Sequence, residues 1–182
     1  MRIISGKARG TKLYTLDGNN TRPTLDRVKE SLFNIIQNEI PGSIFLDLFS
    51  GSGAIGLEAV SRGAEKAILC DNSKAAIEII KKNIQKTHFE DKTILYNKEY
   101  DFVLKNELNE KVDIVYIDPP YKTDFVCKAI KILIERDLLK EDSYIIVETD
   151  QEQIINKIEK IDINIIDKRK YGRANLIFLK RK

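Results

Sequence analysis

The chain has very little of the chemistry that side chains alone use for catalysis. There is one histidine, His88, and there are two cysteines, Cys70 and Cys127, in 182 residues. A zinc site needs a cluster of such ligands, and a Ser-His-Asp triad needs a histidine set between its partners; neither is expected here. Two thiols so far apart make no disulfide framework. Cys70, in a strand-like run, and Cys127, in a helix-like one, read as reduced core residues. No apolar stretch approaches the roughly 18 residues of a membrane-spanning helix. The opening MRIISGKARG lacks the apolar centre of a signal peptide. The expectation is a soluble, cytoplasmic protein with no metal. Its catalysis would rest on carboxylates, backbone groups, or a cofactor that carries its own reactive group.

Hydrophobic residues make up 42% of the chain and charged residues 32%. That balance belongs to globular chains, and the length fits one domain with a substantial core. The formal net charge of +3 conceals an asymmetry. Residues 1–40 hold seven Lys/Arg against four Asp/Glu, and residues 168–182 hold seven Lys/Arg and no acid. The middle, 41–167, carries 17 basic and 24 acidic residues. Two basic ends around an acidic centre are solvated termini or a face for a polyanion, nucleic acid above all. On the second reading Arg2, Lys7, Arg9, Lys12, Lys170 and Arg173 would touch nucleic-acid phosphates.

The spacing of apolar residues orders the chain. Residues 2–22 read as a short hairpin or extended arm. TRPT then stops the chain, and Thr24 can cap a helix with Leu25, Val28, Leu32, Ile35 and Ile36 on one face. Residues 1–40 form an extension integral to a single domain, and 41–182 its main body. Strands are expected at 43–48, 66–71, 93–96, 112–117 and 144–148. Helices are expected at 53–61, from a Ser73 cap onward, and at 125–135. Runs 161–166 and 175–179 flank RKYGR as an antiparallel pair. Strands alternating with helices give a parallel sheet covered on both faces, an α/β fold, and the closing antiparallel pair makes the sheet mixed.

The first strand runs into DLFSGSGAIG, where Gly51, Gly53 and Gly56 spell G-x-G-x-x-G between a strand and a helix. Glycines there allow a tight turn, close approach of a ligand to the backbone, and close helix–strand packing. Asp71 follows twenty residues after Gly51, at the end of the second strand, where a carboxylate can accept both ribose hydroxyls. NAD and S-adenosylmethionine both fit such a loop. Asp47, just before the glycines, favours the second: it would repel a pyrophosphate but suits a cationic methionine end. Phe49 and Asn72 flank these positions. The adenine would lie near Lys98–Asp101, where Glu99 or a neighbour could meet its amino group.

The fourth strand ends in Asp118, Pro119, Pro120 and Tyr121, on the carboxyl side of the sheet where open α/β folds bind ligands. Two prolines fix the backbone and restrict the residues before them. The Asp118 carboxylate and the Pro119 carbonyl then form two acceptors at fixed separation, matched to the two hydrogens of an exocyclic amine. Tyr121 offers a face for a base to stack on. Methyl transfer to a base nitrogen suits this arrangement. The motif by itself leaves guanine N2 and adenine N6 equally open.

The glycine loop with DPPY resembles class I S-adenosylmethionine-dependent methyltransferases that modify exocyclic amines. RIISGKARGTKL, TRPTLDRVKESLFNII, LDLFSGSGAIGLEAVSRGA, DIVYIDPPY and KYGRANLIF, in that order, resemble the RsmD family, bacterial 16S rRNA guanine-N2 methyltransferases. The resemblance covers essentially the whole chain. It implies a Rossmann-like α/β fold, a mostly parallel seven-stranded sheet with a C-terminal antiparallel strand and a small N-terminal β-hairpin and helix extension, with S-adenosylmethionine as cofactor and guanine 966 of 16S rRNA (standard numbering) as target. The substrate would be the small ribosomal subunit or its assembly intermediate, and the enzyme a monomer. By matching position it assigns Asp118, Pro119, Pro120 and Tyr121 to catalysis and Asp47, Gly51, Gly53 and Asp71 to the cofactor. Arg22, Pro23 and Thr24 would border the cofactor or the entering base. YNKEYDF departs from the pattern after the third strand. A DNA adenine-N6 methyltransferase would need room for a target-recognition domain. A nicotinamide oxidoreductase would need a hydride-accepting site. A silent RNA-binding module would bind without incorporating methyl.

Overall fold

The computed structural model describes residues 1–16, 23–120 and 124–181, and of residues 23–25 the backbone alone. Seven strands pair in the order β3-β2-β1-β4-β5-β7-β6. They are β1 (Ile44–Asp47), β2 (Lys66–Asp71), β3 (Thr93–Asn97), β4 (Val112–Ile117), β5 (Leu139–Thr149), β6 (Ile163–Tyr171) and β7 (Ala174–Arg181). β7 is antiparallel to both its neighbours, and the pairs from β3 through β5 are parallel. The chain steps from β1 outward to β2 and β3, then returns to lay β4 on the other side of β1. That reversal opens a crevice above the carboxyl ends of β1 and β4.

Both faces of the central strands are covered, which is why VDIVYI reads as an almost unbroken apolar run. One face is packed by α1 (Pro23–Ile35), α2 (Ala54–Ser61) and α3 (Lys74–Thr87). The other is packed by α4 (Tyr100–Phe102), α5 (Phe125–Glu135) and α6 (Gln153–Ile158). α4 is a single turn that widens into a π-helical segment, Val103–Glu107. Phe45, Ile114, Tyr116, Ile146 and Phe178 point to the α1 side, whereas Leu46, Val115, Ile117, Ile145 and Val147 point to the α5 side. Each buried Ile or Leu contributes about 1.5–3 kcal/mol relative to an exposed one.

Several boundaries differ from the sequence expectation. Thr24 is not the cap of α1: the helix begins at Pro23, so Thr24 lies inside its first turn. A proline there has its φ pre-set and no N–H to leave unpaired. β5 starts at Leu139, because Val112 of β4 pairs with Leu139 before a register shift. α6 and the turns at 100–107 were not expected. Ser73 does cap α3, its hydroxyl accepting from the Ala76 N–H at 3.4 Å.

The N-terminal arm is an irregular loop closed by one antiparallel bridge, Arg2 with Lys12. A fully buried glutamate on α2 fastens it. Glu58 accepts from the Ile4 N–H (2.8 Å), the Ser5 N–H (3.0 Å) and Arg62 Nε (2.8 Å), and pairs with Lys29 Nζ at 3.2 Å. Ser61 Oγ donates to the Ser5 carbonyl and accepts from the Ala8 N–H. Ile3 and Leu13 complete the attachment by joining the α2–α3 core. Among the described residues no helix is long and apolar enough to cross a membrane.

Candidate active site

A cavity of about 370 Å³ opens above the crevice. Its floor carries Asp47 from β1, Tyr116 from β4 and Glu148 from β5, and its rim carries Asp118, Pro119 and Pro120. Strand periodicity explains the company. Asp47 pairs with Tyr116 in register, and Ile117 pairs with Val147. One residue further along each strand stand Asp118 and Glu148. Side chains two apart share a face, so Asp47, Tyr116, Asp118 and Glu148 gather on the α1 side.

Asp47 is 1% exposed, and both its carboxylate oxygens lack a hydrogen-bond partner. Burial pushes its carboxyl up to about 7; the Gly56 amide pulls the other way, the charge of Asp71 adds a smaller push, and the Phe49 amide and Ser50 hydroxyl pull down less again. Those polar groups bear on Asp47 without completing a hydrogen bond of normal geometry. A buried, unpaired carboxylate costs several kcal/mol unless a cation or donor meets it. Asp47 thus forms an anionic seat in the cavity wall.

The glycine loop closes the same wall. Gly53 takes φ 77° as the N-cap of α2. A Cβ on Gly56 would lie 2.2 Å from Leu69 Cδ2, so the third glycine lets α2 press onto β2. Asp71 binds the loop from below: one oxygen accepts the Gly51 N–H and the other the Ser73 N–H, both at 2.9 Å. Beside it Asn72 Nδ2 donates to Glu99 Oε1 at 2.9 Å. Phe49 lines the cavity and is braced by Phe125, stacked at 6.1 Å, and Tyr100 at 5.1 Å. Asn83 of α3 ties loop to arm, donating to the Ser52 and Tyr14 carbonyls and accepting the Tyr14 N–H.

Asp118 faces the open cavity yet lies in a crowded acidic setting. Burial of part of the side chain, then the charges of Glu148, Asp47 and Asp150, push its carboxyl well above the usual carboxylate range. Glu148 is raised as well, by burial, while the Tyr116 hydroxyl donated to its Oε2 acts against the shift. Lys29, from α1, also lines the cavity. Its ammonium donates to the Arg2 carbonyl at 2.5 Å, and burial lowers its pKa against the opposing pull of Glu58.

The structure therefore brings Asp47, Phe49, Gly51, Asp118, Pro119 and Pro120 into one cavity, with Gly53, Asp71, Asn72 and Glu99 around the adjoining loop. Arg22 and Tyr121 lie outside the described residues, as does the side chain of Thr24. Arg2, Lys7, Arg9 and Lys12 are exposed on the arm, and Arg173 sits at the β6–β7 turn. Lys170 pairs with Glu152 at 2.5 Å. Sequence reasoning missed Glu148, Tyr116 and Lys29. The signal for Glu148 was its place at the end of IIVET, on the strand that pairs with β4.

A family model described as "Conserved hypothetical protein 95" matches residues 1–180. The chain is 38% identical over 155 residues to "Ribosomal RNA small subunit methyltransferase D" of Haemophilus influenzae, covering 84% of this chain and 80% of that one. It is 34% identical over 152 residues to the Escherichia coli protein of the same name, covering 84% of this chain and 76% of that one. Among solved structures it resembles "Putative methyltransferase yhhF from Escherichia coli", with a TM-score of 0.85 at 28% identity, covering 100% and 98% of the two chains.

Proposed function

Because the chain belongs to the RsmD family, the ribosomal RNA small subunit methyltransferases D, we propose that it methylates the exocyclic N2 of guanine 966 in 16S rRNA. The methyl donor in this reading is S-adenosylmethionine, and the substrate is the small ribosomal subunit or its assembly intermediate. One observation carries the reading: two unpartnered, buried Asp47 oxygens stand in the same cavity as Asp118, Pro119 and Pro120.

The residues fit that donor. Asp47 offers a charge partner to the ammonium of its methionine end. Asp71 keeps lone pairs free beyond the two amides it already accepts, enough for ribose hydroxyls. Bound there, S-adenosylmethionine supplies an electrophilic methyl on a sulfonium. Asp118 and the Pro119 carbonyl would accept the two hydrogens of the target amine and turn its lone pair toward the methyl. The amine proton becomes acidic as positive charge develops, and a carboxylate whose affinity for protons is already raised is suited to receive it. Tyr121 would stack on the base.

The test is transfer of labelled methyl to small subunits lacking the modification, followed by mapping of the labelled nucleotide. The label is expected on guanine N2. Asp118→Ala should lower the rate by on the order of 10² to 10³ while S-adenosylmethionine affinity changes only a few-fold. Label on an adenine, or on DNA alone, would overturn the reading.

A further inference from the structure

The DPPY motif does not say which base it receives, since guanine and adenine both present an exocyclic amine. The two purines differ one atom away. Beside its amine guanine carries N1–H, a donor; adenine carries a bare N1, an acceptor. A site that discriminates needs a group next to the amine-holding acceptors that tells donor from acceptor.

Glu148 is placed to be that group. It stands on β5 beside Asp118 on β4, one step beyond the Ile117–Val147 pair, and it lines the same cavity. Its Oε2 accepts the Tyr116 hydroxyl. Tyr116 is buried in the α1-side core, so this bond locks the carboxylate's orientation. Glu148 makes no second hydrogen bond among the described residues, and its remaining acceptor capacity is unspent. A glutamate held this way by a tyrosine serves no ion pair, because no cation pairs with it among the described residues. An ionised carboxylate accepts and never donates. Two such groups side by side form an all-acceptor edge. That edge complements the N1–H and N2–H row of guanine and repels the lone pair on adenine N1.

We propose that Glu148 is the specificity-determining residue of this site, accepting the guanine N1–H while Asp118 and Pro119 hold the N2 amine. The assignment rests on the guanine reading above and adds to it a residue outside the DPPY motif.

The test uses small subunits reconstituted with guanosine or 2-aminopurine riboside at the target position, assayed over a series of rising pH values, because burial raises the Glu148 carboxyl and only its ionised form is restricted to accepting. 2-Aminopurine keeps the N2 amine but has an acceptor at N1. The wild-type enzyme should prefer guanosine by at least about tenfold in kcat/KM. Glu148→Gln, whose amide can donate to N1, should lose at least about tenfold on guanosine and bring the two substrates toward parity. Glu148→Asp, which keeps the charge, should retain the wild-type order. S-adenosylmethionine affinity within about threefold of wild type establishes that the variants are folded. An unchanged ratio in Glu148→Gln, whatever its absolute rate, would overturn the assignment while leaving the guanine target standing. Wild-type label on adenine would remove both.

Discussion

Asp47 ties stability to pH and, on the proposed reading, to ligand binding in a single side chain. Its carboxyl lies near 7 in the folded protein against an ordinary 3.8. The native state therefore binds more protons than the unfolded chain between about pH 4 and pH 7, and stability falls as pH rises through that window. At about 1.4 kcal/mol per pKa unit, the ligand-free protein gives up on the order of 4 kcal/mol by pH 8. Asp47→Asn should accordingly raise the Tm of the ligand-free protein at pH 8 and flatten its dependence on pH. The raised carboxyls of Asp118 and Glu148 will leave part of the slope in place. The same substitution should weaken S-adenosylmethionine binding at least about tenfold, because a charge-assisted contact is lost. In the wild type, affinity should decline below pH 7 as Asp47 takes up a proton. Titration calorimetry from pH 5.5 to 8.5 checks both, and an Asn variant that binds as tightly as wild type would remove Asp47 from the donor site.

At the scale of elements, the arm and α2 depend on one close approach. A Cβ on Gly6 would fall 1.8 Å from the Ser61 carbonyl oxygen, at φ +81°. Backbone stands on both sides of that contact, so neither side can yield. Gly6→Ala should lift the arm from α2, with faster amide exchange at Ile3, Lys7 and Leu13 while β4 stays protected. Gly10 has a similar φ, +87°, but nothing within 4 Å; Gly10→Ala should disturb the arm less. Met1, Thr15 and Leu16 line the cavity, so methyl transfer should fall in step with arm protection in Gly6→Ala. The elements most legible in the sequence were those set by local pattern. β2, β4 and α5 begin and end where the apolar runs and their polar stops placed them. α6 escaped because six residues carry too little periodicity, and the start of β5 because KED is polar and falls in the register shift between the Val112–Leu139 and Ile114–Tyr144 pairs. Glu148 escaped for a related reason. Its neighbours Asp118 and Tyr116 are 30 and 32 positions away, and only strand order brings them together. The positions of Asp47 and DPPY were legible because each ends an apolar strand where glycines or prolines follow, and that of Asp71 because it ends one twenty residues after Gly51.

At the scale of the whole molecule, the two basic ends that look alike in sequence differ in the fold. Arg2, Lys7, Arg9 and Lys12 project from the arm without a carboxylate partner among the described residues. At the other end, Lys168 meets Glu159 at 3.7 Å, Arg169 meets Asp167 at 2.8 Å and Lys170 meets Glu152 at 2.5 Å. A cation already answered by an acid displaces fewer counterions when it reaches a phosphate. The arm also leads directly to the cavity mouth through Thr15 and Leu16, so phosphates held there would flank the base being modified. Binding of small subunits should then weaken steeply between 50 and 200 mM salt, as expected when several phosphates are neutralised. Replacing Arg2, Lys7, Arg9 and Lys12 with glutamine should flatten the plot of log affinity against log salt by about 3, near 0.7 for each lost contact. The same change at Lys168, Arg169 and Lys170 should flatten it by less than about 1. Fluorescence anisotropy over that salt range measures both slopes. Equal losses from the two ends would mean that the ion pairs near the β6–β7 turn open on binding, and that RNA spans the protein from arm to hairpin.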